Sequence, residues 1–484
     1  MDPARPHSIT LLGLSLVAWN DGPTVDGVKQ LGKWRVFDDA CPHRLGPLSE
    51  GRVEADGNLL CSYHGWRFDG NGTCASLPYA PPQKEQSLRC SCRAAVGAYP
   101  VREADGLLFV FPYCGADAEA VAEGVALPLI EELHDPALKG RWKWKIPAGV
   151  RDFPCSWDGM VENTLDPAHF CSAHHGTLGN RYEDPAPYAM RVTRKLSQEA
   201  GFAVDGELGR LEFQPPCLVK YAPDYGAMPF GGSLVIATYC VPTKPGWVRP
   251  LANVLLDREQ PLGWTLAERA LSVFMNFATP KWLGHVLASV VLHQDAGLLY
   301  YQSRNLRERG YNFAAQSPPP PPPPQATAAT PAPATSATGA QSGVAVPYEQ
   351  LAFTPTSSDL GVVSFRSWCR LHGGEGVPWQ CPDELPPRGT EDIFDMWDAH
   401  TKHCSHCRDA VRNIEAARTA CLAVVAVSAL WAPDSGARTA CLLTAAAAAA
   451  ALHSLAGLFY RYEYSHADEF GPLDWYLQLI NKRV

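Results

Sequence analysis

At 484 residues the chain is longer than one hydrophobic core ordinarily serves, so at least two domains are expected. Hydrophobic residues at 46% against 19% charged exclude a disordered protein, and a formal charge of −9 gives no reason to propose a nucleic-acid partner. The sixteen cysteines lack the short, dense spacing of a secreted disulfide scaffold, which points to metal or redox use for at least four of them. Met1 to His7 carry neither the apolar core of a secretory signal nor an Arg/Ser-rich transit segment.

From about Ser8 to Pro112, short β-rich runs such as Trp34-Arg35-Val36-Phe37 and Leu107-Leu108-Phe109-Val110-Phe111 alternate with turn signals such as Asp69-Gly70-Asn71-Gly72. This predicts a small all-β domain over residues 1–125. Residues 126–400 mix strands and helices, so the whole chain is α+β. Within them, residues 316–346 hold seven consecutive prolines, Pro318 to Pro324, and an Ala/Thr/Pro/Ser tract, which predicts a disordered surface insertion. Residues 401–414 carry a Cys-x-x-Cys. In residues 415–484, Thr419 to Pro433 and Thr439 to Tyr460 are uncharged and flank a polar turn. The second is long enough to span a bilayer, which needs ~20 residues. A membrane-anchor hairpin is the preferred reading, and an Ala-rich buried helix pair is the other.

Cys41-Pro42-His43 and Cys61-Ser62-Tyr63-His64 are separated by seventeen residues, Arg44 to Leu60. A Rieske [2Fe–2S] cluster needs two thiolates on one iron and two imidazoles on the other, so each of two loops presents one Cys and one His. Cys/His spacing alone also suits zinc. The glycines Gly46, Gly51 and Gly65 and the Gly65-Trp66 pair beside the loops favour the cluster, held by Cys41, His43, Cys61 and His64. Cys74, just beyond, is expected to be a structural thiol.

A second centre is expected downstream, in the run from Glu162-Asn163-Thr164-Leu165-Asp166 to His174. Ferrous iron that activates dioxygen is commonly held by two histidines and one carboxylate on one face, with positions open for O2 and substrate. His169 and His174, five residues apart, are the candidate imidazoles, with His175 also within reach. The residues alone leave the carboxylate open between Asp166 and a later residue such as Asp295, which precedes an apolar run from Ala296 to Tyr301 and suits a helix start.

Cys41-Pro42-His43-Arg44, Cys61 to Trp66, Asp166-Pro167-Ala168-His169, Phe353-Thr354-Pro355-Thr356 and His400-Thr401-Lys402-His403-Cys404-Ser405-His406-Cys407 together resemble the plant and algal Rieske oxygenases of the pheophorbide a oxygenase group. That group includes the inner-envelope translocon Rieske protein and the protochlorophyllide-related translocon oxygenase. A Cys-x-x-Cys before a C-terminal membrane anchor is specific to it, and the proline-rich insertion here is extra. The resemblance implies an antiparallel-sheet helix-grip catalytic domain and a mononuclear Fe(II) held by His169, His174 and Asp295. It also implies catalytic roles for Glu162, Asn163 and Asp166, with the Asp166 carboxylate accepting hydrogen bonds from His169 and, across the interface of a head-to-tail homotrimer, from a cluster histidine, His43 or His64, of the neighbouring subunit. The expected protein is a chloroplast inner-envelope or thylakoid enzyme facing the stroma. By the same resemblance it would take O2 and ferredoxin electrons and oxygenate a chlorophyll-derived tetrapyrrole; the sequence shows no flavin or nicotinamide motif, so an outside donor is expected.

Ring opening of pheophorbide a is the first expectation. Hydroxylation of another chlorophyll catabolite or of (proto)chlorophyllide is the alternative in the same class. A redox-sensing Rieske subunit of the inner-envelope import complex is the alternative in another class, and it has no use for His169, His174 and Asp295. Cys404 and Cys407 admit three readings: a thioredoxin-responsive dithiol, half of a zinc site with His403 and His406, or inert thiols.

Overall fold

Period-two alternation builds the first unit, which comprises Met1–Lys139, Pro242–Pro245 and Pro378–Glu384. In this computed structural model the described residues are 1–138, 140–147, 151–175, 179–223, 234–257, 280–311, 346–374, 376–381, 390–431 and 436–460. The expected insertion at 316–346 lies outside them except for Val346, as do the turn residues 433–435 and the tail from 461.

His7–Leu11, Leu14–Asn20, Trp34–Asp38 and Ala98–Tyr99 form one antiparallel sheet in that order. Leu16 and Ala18 face Val36 and Tyr99 on one side, while Val17 and Trp19 face the opposite way with Phe37. A second sheet takes Arg52–Val53, Leu59–Leu60, Arg67–Phe68 and Cys74–Ser76 in sequence order. Its Leu59, Phe68 and Cys74 close on Val17, Trp19 and Phe37 as one core, in which Phe68 is fully buried. Burying each large side chain of this kind stabilises the unit by roughly 1.5–3 kcal/mol.

The second unit is built on a seven-stranded antiparallel sheet. Its strands are β1 (Trp142–Pro147), β2 (Met190–Ser197), β3 (Gly201–Gly206), β4 (Gly209–Gln214), β5 (Leu218–Pro223), β6 (Leu234–Lys244) and β7 (Trp247–Asp257), in the order β1-β7-β6-β5-β4-β3-β2. The turn into β3 needs a glycine. Gly201 has φ +65°, and a Cβ there would meet the Phe213 carbonyl. Alternate residues Phe202 and Val204, Leu211 and Phe213, with Val219, Cys240 and Val248, line one face.

Helices cover that face. The first is α1 (Trp157–Thr164), capped by the Ser156 hydroxyl, which accepts the Gly159 N–H at 3.2 Å. A short α2 (His169–Ala173) follows Pro167, and the long α3 (Lys281–Glu308) begins after Pro280. The amphipathic α4 (Leu360–His372) completes the layer. Trp157, Met160 and Val161 of α1, Ala296 and Leu299 of α3, and Phe365, Trp368 and Cys369 of α4 point into the common core at helical spacing. The fold is the expected sheet covered by helices. Asp295, however, sits in the interior of the 28-residue α3 and not at a helix start, because the helix already begins at Lys281.

The chain ends its described course in α5 (Ser405–Trp431) and α6 (Gly436–Gly457), which lie against each other and are long and apolar enough to cross a membrane. The first extends beyond the expected apolar stretch, because Ser405 to Arg418 continue the same helix. Leu422, Val427, Leu430 and Leu443 point outward and are more than half exposed. That is the arrangement a lipid-facing pair requires and the reverse of a buried one.

Candidate metal centres

The two Cys/His loops of the first unit share one backbone pattern. In the first, Cys41 N–H donates to the Gly46 carbonyl at 2.8 Å and Leu45 N–H to the Cys41 carbonyl at 2.8 Å. In the second, Cys61 N–H donates to the Trp66 carbonyl at 2.8 Å and Gly65 N–H to the Cys61 carbonyl at 2.9 Å. Leu45 and Gly65, at equivalent places, both have positive φ, +58° and +70°. Each loop is thus wound tightly around its cysteine. Asp39 ties the first loop down, accepting from Ser49 N–H at 2.7 Å and Ser49 Oγ at 2.6 Å.

This winding brings the rings of His43 and His64 to 4.5 Å, nearly perpendicular, with Trp66 stacked on His43 at 4.8 Å. Cys41 and Cys61 are each 2% exposed. Burial pushes the Cys41 thiol up to about 12, so its thiolate requires a bound cation's charge. Among the described residues His43 Nδ1 is buried without a hydrogen-bond partner, as a nitrogen that serves a metal would be. Two thiols and two imidazoles therefore converge in a donor set that fits a Rieske cluster. Gly65→Ala is expected to destabilise this unit by about 1–2 kcal/mol, the cost of left-handed backbone to a side chain. Its Cβ would also lie 3.3 Å from Pro78. Thermal loss of the cluster's visible absorption reads the effect, and Leu45→Gly should shift it the opposite way.

The second cluster forms where α1, α2 and α3 meet. Donor atoms of His169, His174 and Asp295 lie within 4.8 Å of one another. His169 Nε2 is 3.9 Å and His174 Nε2 is 3.4 Å from the Asp295 carboxylate. The outer nitrogens are occupied. His169 Nδ1 donates to the Asp166 backbone carbonyl, and His174 Nδ1 donates to Gln294 Oε1 at 2.9 Å. Both rings therefore carry the proton on Nδ1 and turn the Nε2 lone pair inward, as metal-ligating histidines with such outer partners do. Asn163 Nδ2 is 3.4 Å from His169 Nε2, and its side chain also hydrogen-bonds Asp295.

Burial raises Asp295 to about 7 and lowers His169 to about 4. A bound dication reverses the penalty on the carboxylate and takes the imidazole in the neutral form that burial favours. The donor set fits a 2-His-1-carboxylate iron site.

Of the two adjacent histidines, His174 enters the cluster and His175 stays outside it. The Nδ1 of His175 accepts the Arg181 N–H at 3.1 Å, and its ring lies against Tyr182. Other placements differ from the sequence expectations. Within the chain the carbonyl of Asp166, and not its carboxylate, meets His169. The carboxylate accepts the Ala168 N–H at 2.9 Å, and burial raises it to about 6. Glu162 faces away from the cluster, and its carboxylate takes Arg366 Nε at 2.6 Å. Consecutive helix residues point ~100° apart, so Asn163 turns to the histidines when Glu162 turns to Arg366. Cys404 and Cys407 meet His285 and His400, while His403 and His406 are exposed.

Gln294 had no role in the sequence reading. Its signal there was only its place beside Asp295, since adjacent residues on α3 reach one site from neighbouring directions. Gln294→Ala is expected to lower iron affinity about 10–100-fold by freeing the His174 ring. Competition with a ferrous chelator measures it.

Residues 1–99 match the family model of the Rieske [2Fe-2S] domain and residues 213–312 that of pheophorbide a oxygenase. Among curated relatives, pheophorbide a oxygenase of Arabidopsis thaliana is 28% identical, over 97% of this chain and 82% of the relative. The protochlorophyllide-dependent translocon component 52 of the same plant is 27% identical, over 86% of this chain and 72% of the relative. One chain thus carries both a Rieske domain and a pheophorbide a oxygenase domain, as a Rieske-type oxygenase does, and it is similar to pheophorbide a oxygenase. Flavonoid 8-hydroxylase 2 of Ocimum basilicum is 26% identical to this oxygenase, over 86% of it and 72% of the relative. A Rieske cluster and a non-haem iron are its cofactors, and O2 is its co-substrate.

Proposed function

We propose that the oxygenase uses O2 and electrons from ferredoxin to oxygenate a chlorophyll-derived tetrapyrrole, opening the ring of pheophorbide a. The observation that carries the reading is the pair of inward-turned imidazoles beside Asp295, in a chain that also has a Rieske domain. An electron-transfer or sensing protein has no use for the second set. The match of residues 213–312 to the pheophorbide a oxygenase model favours the substrate class.

His169, His174 and Asp295 would hold the iron, which supplies oxygen activation when bound. The Asp166 carbonyl and Gln294 keep both imidazoles in the ligating tautomer. Asn163 donates to Asp295 and fixes the orientation of its carboxylate. Phe170, whose ring is 5.5 Å from that of His174, gives the centre an apolar wall against water. Each turnover needs two electrons beyond those from the substrate, and an external donor provides them. In the proposed head-to-tail homotrimer, the Asp166 carboxylate would receive a cluster histidine of the next subunit, a heterologous contact that closes into a ring. Thioredoxin acting on Cys404 and Cys407 remains part of the family-based reading.

The protein is proposed to reside in the chloroplast inner envelope or thylakoid membrane, anchored by α5 and α6, with both metal units in the stroma. Deletion of residues 415–484 is expected to move it to the soluble fraction with the Rieske spectrum intact. Release of the full chain by carbonate would contradict a spanning hairpin.

The function is tested with detergent-solubilised protein, reduced ferredoxin and 18O2. Pheophorbide a is expected to give a ring-opened product carrying the label. Label appearing only in a hydroxylated catabolite or a flavonoid would move the substrate, and no label in any of them would favour a sensing role.

A further inference from the structure

Outside both iron centres, four more ligand-type side chains converge. His285 comes from the second turn of α3, His400 precedes a single 3-10 turn, Cys404 follows that turn, and Cys407 lies in the first turn of α5. One donor atom from each lies within 4.8 Å of every other. We infer that His285, His400, Cys404 and Cys407 form a structural zinc site.

The distances favour a metal over a set of thiol–imidazole hydrogen bonds. Bonds of about 2.3 Å to sulfur and about 2.0 Å to nitrogen, at tetrahedral angles, hold sulfur and nitrogen ligands about 3.5 Å apart. His285 Nδ1 is 3.4 Å from Cys407 Sγ and 3.5 Å from Cys404 Sγ, and His400 Nε2 is 3.2 Å from Cys407 Sγ. One ring nitrogen has one proton at most and serves one thiol well. The vertex of a tetrahedron is close to equidistant from its neighbours, as His285 Nδ1 is from the two sulfurs. The two imidazole rings stand at 88° to each other, with centroids 5.1 Å apart, so they do not stack.

The surroundings agree. Cys407 is 1% and His400 4% exposed, and the sulfurs lie among Val286, Ala410, Val411, Ile414 and Phe459. Two thiolates, two neutral imidazoles and one Zn2+ sum to zero charge, a state an apolar pocket tolerates better than free thiolates. All four positions come from protein, leaving none open to substrate, which is the mark of a structural site. The site fastens the beginning of α3 to the entry of the apolar helix pair. Asp295 lies ten residues further along α3, about 15 Å at helical rise. A thioredoxin-responsive disulfide would need Cys404 and Cys407 free of metal, so the two uses exclude each other at any moment.

The test is metal analysis and zinc-edge X-ray absorption on the full-length, detergent-purified protein. One zinc per chain is expected, with two sulfur and two nitrogen neighbours. Cys404→Ser/Cys407→Ser should lose that zinc and keep the Rieske absorption. Cys41→Ser/Cys61→Ser should lose the Rieske absorption and keep the zinc, which separates this site from zinc misplaced in the Rieske loops. Where the first double variant does not fold, His285→Cys decides. It should retain zinc and show a third sulfur neighbour. Zinc absent from the wild type, zinc that survives Cys404→Ser/Cys407→Ser, zinc lost with Cys41→Ser/Cys61→Ser, or His285→Cys without a third sulfur each overturns the assignment.

Discussion

Asp295→Ala is expected to abolish turnover, by at least about 1,000-fold, while leaving the Rieske absorption unchanged. The carboxylate is the single anion facing His169 Nε2 and His174 Nε2 among the described residues, at 3.9 Å and 3.4 Å. Without it, two neutral imidazoles alone face a dication, and iron leaves the site. Each decade of rate corresponds to about 1.4 kcal/mol, so a loss of three decades is about 4 kcal/mol of transition-state stabilisation. Metal analysis should show the mononuclear iron lost and the cluster iron kept. Asp166→Ala provides the contrast, because its side chain holds a backbone N–H and not the proposed iron. That variant should retain both metals. Full activity in Asp295→Ala would remove this residue from the centre.

Arg366→Ala is expected to destabilise the second unit by about 3–5 kcal/mol. Arg366 is 2% exposed, and it reaches Asp158 and Glu162 of α1 at 2.6 Å each. Its guanidinium also lies 4.0 Å from the centre of the Tyr348 ring. Burial would raise Asp158, but the Arg366 charge outweighs it and holds the carboxyl below its usual range. Removal of the arginine leaves two buried carboxylates without their cation, and α1 loses its tie to α4. Asn163 lies on the same helix, so iron occupancy should fall together with stability. Urea titration followed by far-ultraviolet circular dichroism measures the first effect. Arg366→Lys keeps the charge but cannot reach both carboxylates with one fork, so it should fall between the alanine variant and the wild type.

The β-rich alternation, the two Cys/His loops and the His169/His174 pair were all legible in the sequence, because each is local. Period-two patterning and ligand spacing are properties of a short stretch. What the sequence did not disclose depends on helix direction and on contacts far apart in the chain. Glu162 and Asn163 are adjacent letters, yet their side chains diverge around α1, one to Arg366 and one to His169. The Asp166 carboxylate was expected against His169, whereas the turn at Pro167 presents the carbonyl there instead. Local spacing offers the nearest histidines, His403 and His406, as partners of the Cys-x-x-Cys. The helix start at Ser405 leaves both exposed, and His285 arrives from more than a hundred residues upstream. Asp295 looked like a helix-start charge only because the extent of α3 on its N-terminal side was not evident from the local run.

The central claim is that one chain carries both an electron-delivering cluster and an oxygen-activating iron. A single-turnover experiment tests it most directly. The protein, reduced anaerobically at both centres and freed of external donor, is mixed with pheophorbide a and O2. The Rieske spectrum should pass from reduced to oxidised as an oxygenated product forms. Asp295→Ala, with its cluster equally reduced, should form none. Product formation by that variant, or cluster oxidation in the wild type without product from any tetrapyrrole tested, would contradict the account.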